Sequence, residues 1–253
     1  MGPDLVISRL RGISDSRMRV LALVEAMRDG DPAGWIDVAA AILARAHLLD
    51  DVDALLALEC LTHAAAEPGL PYTARQQLYE AAVARGQPAI ARLFLAASPT
   101  TPLPATLEKQ LQPERPLRPQ GRPLTLGERK SAARTHRRDQ ILLMRRDPHP
   151  AVVAILLDNP HVTESDVMFM ASMRPHVPES LAVIAGHPRW SVRHPIKRAL
   201  VLNPSTPLAD AIRIATTLRS AELAELATDP AVPEVLRTHA AELRAATLRR
   251  PRA

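Results

Sequence analysis

The nine histidines and the single cysteine come first, because imidazole and thiolate groups can bind metals or act as acid, base or nucleophile. Cys60 and His63 have C-x-x-H spacing, but no second pair accompanies them. His187 and His194 flank Trp190, and no Asp, Glu or Cys stands at ligand spacing in that stretch. We therefore expect no metal site, and a lone cysteine excludes an internal disulfide.

Catalytic and cofactor motifs are missing from the sequence. There is no G-x-S-x-G or S-x-x-K nucleophile motif, no G-x-G-x-x-G and no glycine-rich phosphate loop. Asp50, Asp51 and Asp53 form the densest carboxylate group, and their position before an apolar run indicates helix capping. The sequence predicts a non-enzymatic protein with no catalytic residue and no cofactor.

Arginine-rich stretches are the strongest candidates for recognition. One stretch surrounds Trp190 in "PRWSVRHPIKRAL", and the other follows "LTLGER", where we expect an exposed helix face. Trp190 has two interpretations, a core residue between helices or an exposed interface anchor. The candidate partner-binding residues are Arg129, Lys130, Arg134, Arg137, Arg138, Arg189, Trp190, Arg193 and Lys197.

The charge is unevenly distributed along the chain. Residues 113–146 carry a net charge of +7 and residues 244–253 carry +4, whereas 1–97 and 147–243 each carry −3. Basic segments of this kind can contact nucleic acid or an acidic protein. The body after residue 146 is net acidic, which opposes binding along a nucleic-acid backbone. We therefore expect the basic segment to bind an acidic protein surface, with nucleic-acid binding as the alternative.

The elements that must position these residues are helices. Apolar residues make up 47% of the chain and aromatic residues only 2%, which favours helices over a β-sandwich. The 24 prolines require short helices with proline at their ends. Apolar periodicity predicts a helix over 14–28 with Met18, Leu21 and Val24 on its buried face. Four more helices are predicted over 33–47, 51–66, 73–86 and 88–98, which together form a helical-hairpin domain over 1–97.

A proline-rich segment over 98–124 separates this domain from the rest and predicts a linker. Its Pro-x-x-Pro spacing suits either a spacer or a ligand for an aromatic groove. The last residues, 249–253, form a basic tail.

Proline recurs at nearly constant intervals after the linker. Pro148, Pro188 and Pro230 follow Asp or His at intervals of 40 and 42 residues, and Pro160 and Pro204 follow Asn at an interval of 44. An Asn or Asp side chain just before proline can accept an N–H of the next turn. The apolar runs between these breaks are too short to be stable helices alone, but stacked on their neighbours they bury an apolar face. The sequence therefore predicts a short-helix α-solenoid over 125–248.

Two of these segments, "RRDPHPAVVAILLDNPHVTESD" and "AGHPRWSVRHPIKRALVLNPSTPLAD", resemble HEAT-like and leucine-rich-repeat-variant α-solenoid repeats of bacterial proteins. The resemblance covers roughly residues 125–243 and implies a curved stack of helices that binds other molecules. One variant of that class holds an iron–sulfur cluster through cysteines that this chain lacks. A DNA glycosylase family also uses such repeats, but it needs clustered aromatic residues, and those of this chain are scattered.

Neither a targeting signal nor an uncharged apolar run of 18 residues occurs in the sequence. We therefore expect a soluble, cytoplasmic scaffold or adaptor protein without membrane insertion. Its oligomeric state stays open.

Overall fold

A computed structural model describes residues 2–48, 51–95, 111–113 and 122–248, and within these ranges the chain forms helices and loops without a β-strand. The predicted all-α fold class is confirmed for this part of the chain. The helices, numbered here in chain order, are α1 Pro3–Gly12, α2 Ser16–Asp29, α3 Pro32–Leu48, α4 Val52–Ala66, α5 Tyr72–Ala84, α6 Pro88–Phe94, α7 Leu126–Ala133, α8 Arg138–Met144, α9 Pro150–Asp158, α10 Glu164–Ser172, α11 Pro178–Gly186, α12 His194–Leu202, α13 Leu208–Ala215, α14 Ser220–Thr228 and α15 Glu234–Leu248.

The predicted proline-rich linker and basic tail fall almost entirely outside the described residues. Of the linker, 98–124, the structure describes only 111–113 and 122–124. All of the tail, 249–253, lies outside the described residues.

The chain divides into two compact units. The first unit comprises Met1–Pro99 and Ile212–Ala253, and the second comprises Thr100–Ala211. This division differs from the predicted domains, which assign 125–248 to one solenoid. The difference arises because α15 packs on α3 and α6 of the N-terminal part.

Helix α15 is joined to the first unit by apolar and charged contacts. Leu236, Ala240 and Leu243 are buried on one face of the helix. Arg92 of α6 donates to Glu242 of α15, with Nη2 2.9 Å from Oε1. The sequence of α15 shows that one face of this helix is apolar, but it does not show which helices cover that face.

Helix α4 is central in the first unit, where it contacts α1, α2, α3 and α6. Asp51 begins it by accepting hydrogen bonds from the backbone N–H groups of Asp53 and Ala54. The predicted capping role of this acidic group is thereby observed at Asp51.

Helix α2 buries a different face from the predicted one. Its buried side chains include Leu23, Val24 and Met27, whereas Met18 is 56% exposed and Leu21 is 38% exposed. The prediction for Met18 and Leu21 was wrong. In this helix of about four turns, two neighbouring rows of apolar residues have the i, i+3, i+4 spacing, and the spacing alone does not show which row is buried.

The second unit is a regular succession of short helices. From α7 to α12 a helix begins every 12 to 16 residues. Helices two apart in sequence contact each other: α7 contacts α9, α9 contacts α11, and α10 contacts α12. Short helices thus bury their apolar faces against both sequential and alternate neighbours.

The residues before the recurring prolines adopt one shared hydrogen-bonding pattern. Because proline has no N–H, the first donor after it belongs to the residue two positions beyond the pre-proline side chain. In each case that N–H donates to the pre-proline side chain, at 2.9 to 3.3 Å. The prediction for Asp and Asn is confirmed at Asp147, Asn159, Asn203 and Asp229. The imidazole of His187, for which it was not predicted, accepts in the same way.

The proline interval and the packing interval are different. Pro160 follows α9, and Pro204, 44 residues later, follows α12, so the proline interval spans three helices. The contacts alternate every two helices. The spacing of the prolines therefore identifies turns with equivalent structure, but it does not show which helices pack on each other.

Candidate partner-binding surface

Three of the nine predicted partner-binding residues are buried: Arg129 is 2% exposed, Trp190 is 3% exposed and Lys197 is 8% exposed. Their predicted contact with a partner is not supported by these positions. The other six are exposed or partly exposed: Lys130, Arg134, Arg137, Arg138, Arg189 and Arg193.

Arg129 forms a buried ion pair inside the second unit. Its Nη1 atom lies 2.8 and 2.9 Å from the two carboxylate oxygens of Asp147, and Nη2 donates to the Leu111 carbonyl at 2.8 Å. Burial raises the pKa of the Asp147 carboxyl, although hydrogen bonds from the His149 N–H and from Arg129 act in the opposite direction. Arg129 therefore ties α7 to the loop before α9 and is not part of an exposed basic face.

Trp190 is a core residue, which settles the choice between its two interpretations. Its indole N–H donates to the carbonyl of Leu157 at 2.8 Å, near the end of α9. The guanidinium carbon of Arg189 lies 4.3 Å from the centroid of the Trp190 ring and covers one face of it. The indole hydrogen bond fixes the turn before α12 against α9, and Arg189 covers the ring from within the same turn.

Arg138 joins α8 to α10. Its guanidinium donates to both carboxylate oxygens of Asp166, with Nη2 2.8 Å from Oδ1. Arg145 adds a third contact to Asp166 at 3.2 Å and stacks over the ring of Phe169, 4.1 Å from its centroid. Asp166 itself closes a capping box with Thr163.

The charge of this cluster is fixed by its geometry. Burial alone would raise the pKa of Asp166, but the hydrogen bonds from Arg138 and Thr163 outweigh it and lower the pKa to about 2. One carboxylate is therefore shared by two guanidinium groups, and the cluster keeps one net positive charge at neutral pH. Arg138 remains 48% exposed at its side chain while it is held in place.

The exposed face of α8 carries apolar and basic side chains together. Leu142 is 36% exposed and Leu143 is 41% exposed, and Arg138 precedes Leu142 by four residues. Arg146 lies in the turn after α8, which ends at Met144; it is exposed and forms no side-chain hydrogen bond or ion pair with any residue that the structure describes. We call Arg138, Leu142, Leu143 and Arg146 the α8 ridge.

Sequence reasoning missed the apolar half of this surface. Leu142, Leu143 and Arg146 were not among the predicted residues. The available signal was the pair Arg138 and Leu142, which stand four residues apart on α8. It was hidden because "ILLM" looks like one buried apolar run.

The charge of the second unit is positive. Residues 100–211 contain sixteen Lys and Arg against ten Asp and Glu, a net charge of +6. The remaining residues contain sixteen against seventeen. Residues 113–146 alone account for +7 of this charge, and residues 147–211 carry five Lys and Arg against six Asp and Glu, so the part of the second unit after residue 146 is still slightly acidic.

Titratable groups of the first unit form contacts inside that unit. His47 Nε2 is 3.0 Å from the Thr216 carbonyl, and Thr216 Oγ1 is 2.9 Å from Nε2 of the fully buried His239. Burial, together with the charge of Arg92, lowers the pKa of His239 to about 3, and burial lowers that of His47. Burial raises the pKa of the Cys60 thiol to about 11.

His63, the expected companion of Cys60, lies 3.1 Å from Arg213 through its Nε2 atom. Within the described ranges, no three His, Cys, Asp or Glu side chains come together as a metal-binding group. None of the helices in these ranges combines the length and apolar character needed to cross a bilayer.

Comparison with protein-family models, curated proteins and solved structures gave no match for this chain.

Proposed function

We propose that this protein is a non-enzymatic scaffold or adaptor whose second unit stacks its short helices as a HEAT-like α-solenoid and binds an acidic surface of another protein. The contacts between alternate helices from α7 to α12 support the stacking. The proposal includes the bacterial, cytoplasmic setting that was expected from the sequence.

The α8 ridge is the observation that carries the proposal. Arg138 is fixed by Asp166, Arg146 is unpaired among the described residues, and Leu142 and Leu143 stand exposed between them. Protein interfaces combine an apolar centre with a polar rim and are enriched in arginine. An arginine that is already held in position loses less conformational freedom on binding.

Nucleic-acid binding is the second candidate, and the net charge of +6 over residues 100–211 favours it. Single-strand recognition uses exposed aromatic platforms. In the second unit, however, the Trp190 indole is buried and the Phe169 ring is covered by Arg145. Exposed leucines on the ridge contribute nothing to a phosphate contact, so the protein partner is favoured.

Photo-cross-linking in a lysate of the native host tests this function. A photoreactive phenylalanine analogue replaces Leu143 on the ridge or, as a control, the exposed Leu5 on α1. We expect a protein adduct from position 143 that survives nuclease treatment, weakens at high salt and is missing from position 5. Adducts that nuclease removes, or equal adducts from both positions, would overturn the proposal.

A further inference from the structure

We propose that His136 and His161 together form a surface site for a divalent transition metal ion such as Zn²⁺. The two histidines stand 25 residues apart in the sequence, so the spacing rules that predicted no metal site do not reach them. In the fold their ring centroids lie 6.2 Å apart, with the ring planes tilted by 58°. This inference does not depend on the proposed function, because neither histidine belongs to the α8 ridge.

These two imidazoles are the ones that a ligand from solvent can reach. All nine histidines lie within the described ranges, and of these His136 and His161 are exposed, whereas the other seven are buried or half-buried. Neither side chain forms a hydrogen bond or ion pair with a residue that the structure describes. Imidazole is the commonest metal ligand in proteins and suits Zn²⁺, Cu²⁺ and Ni²⁺. Two such groups without a hydrogen-bonding partner therefore lie side by side on the surface.

One buried side chain, Asn159, fixes the two turns that carry these histidines. Its Oδ1 atom accepts the backbone N–H of His161 at 2.9 Å, and its Nδ2 atom donates at 2.9 Å to the carbonyl of Thr135, the residue before His136. A second bond from Nδ2 to the Ala133 carbonyl, also 2.9 Å long, holds the end of α7. The backbone at both histidines is thus in position before an ion arrives, which reduces the conformational entropy lost on binding.

The turns themselves do not require histidine at either position. Asn203 makes the corresponding hydrogen bonds at the end of α12, and there the equivalent positions are Arg174, which follows Met173, and Ser205. Arg174 donates back to the Leu202 carbonyl. Because the same backbone arrangement forms without an imidazole, a structural role in the turn does not account for the histidine pair.

The separation of the two rings suits a shared ion. Zn²⁺ binds histidine nitrogens at about 2.0–2.1 Å in tetrahedral geometry, so two rings on one ion would have centroids about 5 Å apart. From the observed 6.2 Å, the rings of His136 and His161 would have to approach by about 1 Å, which small rotations of exposed side chains supply. Water molecules would complete the tetrahedron.

The charges near the site favour nitrogen-seeking ions over hard cations. Arg137 pairs with Asp139, with Nη2 2.9 Å from Oδ2, and Arg138 pairs with Asp166. Arg134 has no carboxylate partner among the described residues and keeps its charge. A cation therefore has to gain its binding energy from the metal–nitrogen bonds. Mg²⁺, which prefers carboxylate and water oxygens, gains nothing there.

Isothermal titration calorimetry of the chelator-treated full chain with Zn²⁺ tests the site. We expect one ion per chain and no detectable binding of Mg²⁺. His136→Gln and His161→Gln should each lower the Zn²⁺ affinity by at least about tenfold. The double variant should lose little more than either single one, because chelation needs both imidazoles. His194→Gln, at a half-buried histidine, is the control and should leave the affinity unchanged.

A second measurement on the unaltered chain does not depend on the folding of a variant. Diethyl pyrocarbonate modifies accessible, unprotonated imidazoles, and mass spectrometry locates the modified residues. We expect His136 and His161 to react fastest and Zn²⁺ to protect both of them together. Failure to bind Zn²⁺, parental affinity in either single variant, protection of one histidine without the other, or equal binding of Mg²⁺ would overturn the site.

Discussion

Asn159 and Asn203, 44 residues apart, make the same set of hydrogen bonds at the ends of α9 and α12. Each accepts a backbone N–H through Oδ1, and each Nδ2 donates to two carbonyls at the end of a helix two positions earlier. For Asn159 these carbonyls belong to Ala133 and Thr135, both at 2.9 Å, and for Asn203 to Ala171 and Met173 at 2.8 and 3.0 Å. Only an amide can accept and donate in this way, which explains Asn at these two breaks.

Replacing either asparagine by aspartate should therefore destabilise the second unit. Asn159→Asp and Asn203→Asp keep the acceptor for the turn, but they leave two helix-end carbonyls without a donor and place a carboxylate beside them. We expect each to lower the free energy of unfolding by about 1–3 kcal/mol. Urea unfolding read by Trp190 fluorescence, with Trp35 replaced by phenylalanine, measures this.

Asp229→Asn, in the first unit, is the control for an acid–amide exchange at a proline turn, and Trp35 fluorescence in a Trp190→Phe chain measures it. Asp229 uses only its acceptor, toward the Ala231 N–H at 2.9 Å. An amide keeps that bond, so we expect a change within about 0.5 kcal/mol. Aspartate variants as stable as the parent protein would show that the amide donors contribute nothing.

Removing Arg129 should be among the most damaging single changes in the second unit. Arg129→Met leaves the Asp147 carboxylate buried without its guanidinium partner. We expect a loss of about 3–5 kcal/mol at neutral pH in urea unfolding. Asp147→Asn in the same chain should recover part of it, because the double variant buries no unpaired charge; strict additivity of the two losses would contradict a coupled pair.

The first unit should lose stability as the pH falls below the pKa of a free histidine side chain. His239 has a pKa of about 3 in the folded protein and about 6.5 when unfolded, so the unfolded chain takes up the proton first. The stability that depends on a neutral His239 is fully present above pH 6.5 and is lost as the pH falls toward 3. Between neutral pH and pH 5, His239 alone should cost about 2 kcal/mol.

Trp35 fluorescence in a Trp190→Phe chain measures this pH dependence by urea unfolding at several pH values. His239→Gln should reduce the difference between neutral pH and pH 5 by about the 2 kcal/mol assigned to His239. His161→Gln, an exposed position in the second unit, should leave it unchanged. An unchanged slope in His239→Gln would show that this imidazole does not remain neutral in the folded state.

Cys60 should be almost unreactive in the folded protein. It is 6% exposed, and a thiol pKa of about 11 leaves little thiolate at pH 8. Compared with an ordinary thiol, we expect labelling by iodoacetamide to be slower by about a hundredfold or more. Because it is the single cysteine of the chain, the labelling rate in urea should follow unfolding of the first unit; rapid labelling without urea would contradict its burial.

Proline spacing and composition predicted the all-α class and the turns correctly, because both are local. The acceptor role of Asp147 or Asn203 depends only on the missing N–H of the next residue. Burial depends on distant partners. Arg129 looked like part of an exposed basic run, and only the fold places Asp147, 18 residues later, against its guanidinium.

The bounds of the units could not be read from the sequence for the same reason. The pattern of α15 shows an apolar face but does not distinguish α12 from α3 and α6 as its neighbours. The net charge of the candidate surface does not depend on that boundary, because the positive charge lies in residues 113–146. The sequence therefore shows where the basic residues are, but it does not show which helices cover the apolar face of α15.

Hydrogen exchange of the full chain, with and without the partner protein that cross-links through position 143, tests the central claim most directly. The account predicts slower exchange over 138–146, which covers α8 and the turn after it, and unchanged exchange in α1 to α6. Protection confined to α1–α6, or no protection at a partner concentration that saturates binding, would contradict it.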